Sequence, residues 1–272
     1  MIRVVLLSLL LLAPVVASAK KQTTSATPQT LYEKGLRHMK RGYFTKALEE
    51  FNRVRNYHRD DPLSVKAQLA IAEVHYKKGD YEQARYAFEE FAAYHPRHED
   101  LDYVTWMIGM SVYKRSPKFA GRDQTATKGA VNVWTGFDTR FPESQYAADV
   151  ERLRERGRAR LAAKELQVAE FYARRDAWGS ARSRCAYGLR RYPDTEHSPR
   201  MLALLGTAMH AWGSTDEARD VLAQLERDHP ESTALKRLAR TLAKPGGEPP
   251  PDEIFVRPYR IRGVSPLTGA AY

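Results

Sequence analysis

Along most of this chain, apolar residues recur every three or four positions, and turns marked by Gly or Pro interrupt them. One stretch shows the pattern clearly. Leu69, Ala72 and Tyr76 fall on one face of a predicted helix. Gly79-Asp80 ends it, with glycine supplying the left-handed backbone that helix C-termini favour. A second helix starts at Tyr81 and carries Ala84, Phe88 and Phe91 as its buried stripe, until Pro96 blocks continuation. The predicted unit is a pair of antiparallel helices.

That unit repeats. Four times an alanine is followed twelve residues later by the proline of an aromatic-Pro or His-Pro pair: Ala84 with His95-Pro96, Ala130 with Phe141-Pro142, Ala181 with Tyr192-Pro193, and Ala218 with His229-Pro230. Ala47 precedes Pro62 with the offset loosened by three. A fixed internal offset marks one supersecondary unit used repeatedly. The alanine has a packing reason, because only a small side chain fits where two helices cross closely. Four residues on stand Phe51, Phe88, Trp134, Cys185 and Leu222; seven on stand Val54, Phe91, Phe137, Gly188 and Leu225. Helices this short are marginal alone and become stable by stacking.

Successive alanines lie 37, 46, 51 and 37 residues apart, against about 34 for a regular tetratricopeptide repeat. A polar loop at about Ser116 to Lys128 lengthens the third unit. Before the fourth, Ser144 is expected to cap a long helix running toward Tyr172, with Gly157 as a kink. Leu235, Leu238 and Leu242 give a closing amphipathic helix. The expected fold is all-α, a right-handed superhelical solenoid of about five tetratricopeptide-like helical hairpins with a C-terminal capping helix. Residues 1–19 read as a signal peptide. Arg3 precedes the apolar run Val4 to Leu12, and Ala17-Ser18-Ala19 has the small-x-small cleavage pattern. Residues 20–28 read as a flexible lead. The repeat domain is 29–243, with halves at about 29–143 and 144–243. Residues 244–272 are a Pro/Gly-rich tail expected to be disordered.

The formal charge of +11 is uneven, and Glu151 to Arg191 holds twelve Lys/Arg against five Asp/Glu. Such a stretch suits an acidic protein surface or anionic lipid, or is simply a solvated helix face. Export argues against nucleic acid. Cys185, the single cysteine, cannot form an internal disulfide and is expected to be buried. His95 and His98 with Glu99, Asp100 and Asp102 have the elements of a metal site. The simpler reading is a polar turn in which His95 takes the aromatic slot before Pro96. Cys185 has no catalytic signature around it. No phosphate loop, GxSxG or HExxH occurs, so no enzyme, cofactor or metal is expected. Tyr32, Tyr43, Tyr57, Tyr76 and Tyr86 crowd the first two units. Most are expected in the core, and Tyr32, Tyr43 and Tyr76 are the candidates for lining a peptide groove.

Four segments carry a more specific resemblance: HEDLDYV from His98, FPESQYAADVERL from Phe141, AEFYARRDAWGSA from Ala169 and LRRYPDT from Leu189. Over about Leu31 to Ala243 the chain resembles the BamD-like tetratricopeptide family of outer-membrane protein assembly factors. The resemblance implies a periplasmic scaffold of the β-barrel assembly machinery. Its N-terminal repeats would recognise unfolded outer-membrane protein precursors. Its C-terminal repeats would bind the POTRA domains of a BamA-like insertase, alongside the other subunits of that machine. Arg184 matches a family position on the partner-facing side, and Arg182, Arg190 and Arg191 are its basic neighbours. Typical members are lipoproteins with a cysteine directly after the signal; here that position is Lys20. The expected location is the periplasmic face of the outer membrane, without a lipid anchor. The rival reading is a periplasmic tetratricopeptide adaptor coordinating cell division or peptidoglycan synthesis. The absence of coiled-coil heptads and the irregular middle units favour the first.

Overall fold

The structure, a computed structural model, describes residues 26–248. The expected signal peptide, most of the lead and most of the tail lie outside the described residues. Twelve helices follow one another among the described residues, with no strand. They are α1 (Pro28–Lys40), α2 (Phe44–Tyr57), α3 (Pro62–Lys78), α4 (Tyr81–Tyr94), α5 (Leu101–Tyr113), α6 (Thr125–Trp134), α7 (Phe137–Arg140), α8 (Ala147–Ala173), α9 (Trp178–Arg191), α10 (Ser198–Ala211), α11 (Thr215–Asp228) and α12 (Thr233–Leu242). The first and second helices of the five units are α1/α2, α3/α4, α5/α6–α7, α8/α9 and α10/α11. The final helix, α12, packs on α10 and α11 as the expected cap.

Ala47, Ala84, Ala130, Ala181 and Ala218 all have no exposed surface. The large side chains four residues on fill the space beside them. Phe51, Phe88, Trp134 and Cys185 are buried, and Leu222 packs partly buried against the last cluster. A first helix such as α3 serves two units at once. Ala67, Ile71 and Val74 enter the core shared with α1 and α2, while Leu69, Ala72 and Tyr76 enter the core shared with α4 and α5. The hydrophobic core is therefore continuous along the stack.

Both kinds of turn are copied from unit to unit. Within a unit, a left-handed residue is followed by a helix N-cap: Gly42-Tyr43, Gly79-Asp80, Asp176-Ala177 and Gly213-Ser214. The N–H of the second residue bonds back to the preceding helix, as Asp80 N does to His75 O at 3.0 Å. This is the Schellman closure of a helix end. Asp176 holds φ +55, the one positive φ outside glycine among the described residues.

Between units, the residue before the proline is the helix C-cap. His95, Phe141, Tyr192 and His229 share φ near −124 to −144° and ψ 54 to 65°. His58 adopts the same geometry at φ −131°, ψ 52°, yet Arg59 follows it. The first unit thus keeps the offset from Ala47 and lacks only the proline. Pro62 has another role, opening α3 behind the N-cap Asp61, whose Oδ1 accepts the Leu63 N–H at 2.8 Å.

The middle of the chain departs further from expectation. The polar loop spans 114–124, shorter than anticipated, because Gln124 is buried and ends it. Its side chain donates to Phe119 O at 2.9 Å and accepts from Thr127 Oγ1 at 2.6 Å, and α6 starts at once. The second helix of this unit is split. Thr135 is extended and Gly136 has φ +70, yet Phe137 still reaches the core. Gly109 lies against the Trp134 indole, where any Cβ would overlap the ring. Residue 144 is not the cap of α8; Tyr146 is. Ser144 accepts from Tyr146 N and donates to Asp102 Oδ2 at 2.6 Å, tying the turn to α5. The α8 helix runs unbroken through Gly157 for 27 residues, about 40 Å. Gly157 provides close approach rather than a kink, since a Cβ there would lie 2.5 Å from Val131 Cγ2.

At the two ends, folded structure extends beyond the expected limits. Thr27 caps α1, Pro28 is its first residue, and Ala26 packs on the first core. The start of the tail is docked. Gly247 N donates to His210 O, and His210 Nε2 lies 3.1 Å from Lys244 O.

Gly79→Ala should destabilise the fold by about 1–2 kcal/mol, a cost of backbone conformation alone because no atom lies within 4 Å. Gly109→Ala should cost about 1–3 kcal/mol through overlap with Trp134. Urea unfolding of the two variants measures both.

Candidate functional site

Two regions carry the candidate residues. The first is formed by the first helices of units one to three and the turn that leads into α8. Tyr32 on α1 packs its ring 5.5 Å from Phe51, and burial, then the Glu73 carboxylate, push its pKa up. Glu73 on α3 accepts from Tyr103 Oη at 2.9 Å. Tyr103 has its pKa raised by burial first and by Glu73 second. Trp106 stacks on Tyr146 at 4.6 Å with the planes 13° apart. Tyr76 sits half-buried nearby, 5.4 Å from Tyr81. A partly open strip of aromatic rings, with the carboxylates of Glu73 and Asp102 set among them, therefore crosses three units.

Of the candidate groove residues, the structure brings Tyr32 and Tyr76 to this strip. Tyr43 is elsewhere: it is exposed at the N-cap of α2, between His38 and Lys46. The expectation that most of the five tyrosines are core does not hold, since Tyr43, Tyr57 and Tyr86 are exposed and Tyr32 and Tyr76 half-buried. Glu73, Tyr103, Trp106 and Tyr146 are the members sequence reasoning missed. The HEDLDYV segment pointed at Tyr103, but the pairing with Glu73 thirty residues earlier has no local signal.

The second region is the basic stretch on α8 and α9. Most of its arginines are engaged. Arg184 lies 3.2 Å from Glu165, whose side chain is only 13% exposed. Arg182 reaches Glu217 on α11 at 3.0 Å, Arg158 pairs with Asp194, and Glu170 of α8 is met by Arg200 from α10 at 2.6 Å. Arg190 lies 6.0 Å from the Tyr187 ring centroid. Arg191 is exposed at the end of α9 with its side chain toward solvent. The charge run is thus partly structural, joining α8, α9, α10 and α11, while Arg184 stays about half exposed above its partner.

The histidine turn takes the simpler of its two readings. His95 Nε2 lies 2.9 Å from Gln68 Oε1, and the His95 and His98 rings both pack on Phe91. No group of three His, Cys, Asp or Glu side chains among the described residues is placed to hold a metal. Cys185 is free and buried, and burial pushes its thiol pKa up, away from the reactive thiolate. No helix of the described residues is long and apolar enough to cross a membrane.

A stack of helical hairpins with an aromatic strip on one half and a half-exposed basic surface on the other defines a tetratricopeptide-like binding scaffold. A family model described as "Outer membrane lipoprotein" (YfiO) matches residues 24–225. The outer membrane protein assembly factor BamD of Xylella fastidiosa strain 9a5c is 30% identical over 225 residues, which cover 78% of this chain and 77% of that protein. BamD of Pasteurella multocida strain Pm70 is 28% identical over 218 residues, covering 77% and 84%. Among solved structures, the TPR2AB domain of yeast Sti1 aligns with 79% of this chain and 83% of its own at 16% identity and a TM-score of 0.40. The chain belongs to the BamD family of outer membrane protein assembly factors. Its role is that of a scaffold in outer membrane protein assembly, at the periplasmic side of that membrane.

Two histidines give the fold a pH dependence. Burial lowers the His75 pKa below its ordinary 6.5, with Lys78 adding to the effect and Asp80 opposing it; burial and then His98 lower that of His95. The unfolded chain therefore binds these protons more readily than the fold does. Their contribution is complete above about pH 6.5 and is lost as pH falls through the lower folded values. Thermal unfolding should show Tm dropping between neutral pH and about pH 5, with a flatter profile in His75→Gln/His95→Gln.

Proposed function

We propose that the C-terminal half of this scaffold binds the POTRA domains of a BamA-like insertase and that the N-terminal half receives segments of unfolded outer-membrane protein precursors. The observation that carries the first assignment is Arg184. It is anchored by the nearly buried Glu165 yet keeps about half of its own surface open. A guanidinium held this way is pre-oriented for a carboxylate on a partner, and charge there sets on-rate and orientation. Arg182 and Arg190 extend the same surface along α9, and Arg191 ends it.

The second assignment rests on the strip from Tyr32 to Tyr146. Half-buried rings offer apolar contact at low conformational cost. The Glu73 and Asp102 carboxylates among them could accept backbone N–H groups from an extended peptide.

Affinity capture from envelope extracts is expected to recover a POTRA-bearing barrel protein, with Arg184→Glu reducing recovery at least about tenfold. The exchange Arg184→Glu/Glu165→Arg separates the two roles of the pair. It should restore thermal stability by re-forming the ion pair and also restore a cation beside α9. Recovery that stays low in the exchanged variant locates the partner contact at Arg184 itself. Full recovery of partner with Arg184→Glu alone would sink the assignment.

A further inference from the structure

Because neighbouring helices are antiparallel, the connections of the solenoid alternate between two edges. Those after α1, α3, α5, α8 and α10 lie on one edge, and those after α2, α4, α7, α9 and α11 on the other. Charge is divided unequally between them. Connecting residues of the first edge hold seven Lys/Arg against three Asp/Glu; those of the second hold two against eight. The molecule therefore carries a charge dipole across the stack, in addition to the basic surface of α8 and α9.

The first edge is physically continuous. Lys78 lines a cleft of about 300 Å³ with Gly42 to Lys46. Arg115 lines the next, about 320 Å³, with Gly79 to Gln83, and pairs with Glu82 at 3.2 Å. The third connection reaches the last turns of α8, since a Cβ on Gly121 would lie 3.0 Å from Gln167 Oε1.

Apolar tips stand among these cations. Both phenylalanines that are exposed among the described residues, Phe119 and Phe171, are on this edge, together with exposed Tyr43. Each has a cation beside it. The Arg175 guanidinium sits 3.7 Å from the Phe171 ring centroid, and Lys46 lies 5.7 Å from that of Tyr43. Phe119 is bracketed by Lys118 and Arg122. Of the four cations in that connection, only Arg115 is ion-paired among the described residues. A protein interface gathers its apolar side chains into a dry centre with a polar rim. Here they are spaced along an edge, each with its own cation, which is the chemistry of an interfacial anchor on anionic lipid.

We propose that this edge docks on an anionic phospholipid surface. Lysine and arginine heads meet the phosphates, and Phe119 and Phe171 enter the boundary of the acyl region. The acid-rich opposite edge is repelled, so the solenoid stands edge-on to the bilayer. The inference is independent of the partner assignments above, and vesicle binding and partner capture fail separately.

The test is flotation of the full chain with vesicles of phosphatidylcholine alone or mixed with phosphatidylglycerol. Flotation is expected only with phosphatidylglycerol, and is expected to be lost at high salt. Lys118→Glu/Phe119→Ser/Arg122→Glu should lower vesicle affinity at least about tenfold. Arg59→Glu/Arg97→Glu on the opposite edge should leave it unchanged within about twofold. A polarity-sensitive dye on Phe119→Cys should shift to the blue on these vesicles and one on Arg97→Cys should not; Cys185 is buried and stays unlabelled. Absence of flotation, equal losses from both edges, or equal dye shifts would overturn the proposal. Retention on an acidic polypeptide matrix without flotation would also overturn it, and would assign the edge to a protein partner.

Discussion

Five alanines without exposed surface set the distance between the paired helices, and the rest of the structure depends on that distance. With a methyl at the crossing, two backbones approach closely enough for the side chain one turn on to fill the space between them. Where that neighbour is largest, the opposite helix must shrink in turn. Trp134 is accommodated because Gly109 faces it, and Phe51 because Gly35 does. Interiors at this density do not absorb an added methylene without displacement. The constraint is local, but five copies in series align the helices along the whole stack.

Close packing on one side would leave each first helix half exposed. The solenoid avoids this by using both faces, as α3 does between the first two cores. Stability is then a sum of nearest-neighbour terms, so no unit is autonomous. The α8 helix joins the two halves more firmly than a regular unit would. Its N-terminal part packs on α6 through Gly157 and Val150, and its C-terminal part on α9 and α10 through Leu166 and Ala169. Ion pairs from Glu165, Glu170 and Arg158 hold the same junction at its surface.

What could be read from the sequence follows from the range of the interactions. The alanine stripe, the Gly79 turn, the burial of Cys185 and the closing helix are local periodicities, and they were legible. So was the family, through segments whose spacing is irregular. The first unit was misaligned because proline was taken as the marker of the turn. His58 shows that the backbone geometry belongs to the repeat and that proline only reinforces it. The break at Thr135-Gly136 and the left-handed Asp176 were invisible because tertiary packing overrides local preference there. The aromatic strip was half legible. Tyr32 and Tyr76 carry helical spacing, but Glu73 with Tyr103 and Asp102 with Ser144 are contacts across 30 and 42 residues. Tyr43 lies apart from the strip because it sits at a turn, where periodicity says nothing about direction.

The same logic locates function. Positions that hold the helices at their crossing distance are committed to packing, so recognition uses what the repeat leaves free. That is the outward side of the first helices and the connections. The third unit is the clearest instance. It alone among the five replaces the short left-handed turn with eleven residues, and it keeps its core intact by burying Gln124 at the end of that loop. An insertion that ends on the buried Gln124 and displays Phe119 between two cations is not needed for stacking, since units one, two, four and five stack without it. Exposing a phenylalanine to water is a cost the fold does not require. The proposed lipid contact therefore rests on Phe119 standing on the basic edge beside cations that are unpaired among the described residues, and not on its exposure alone.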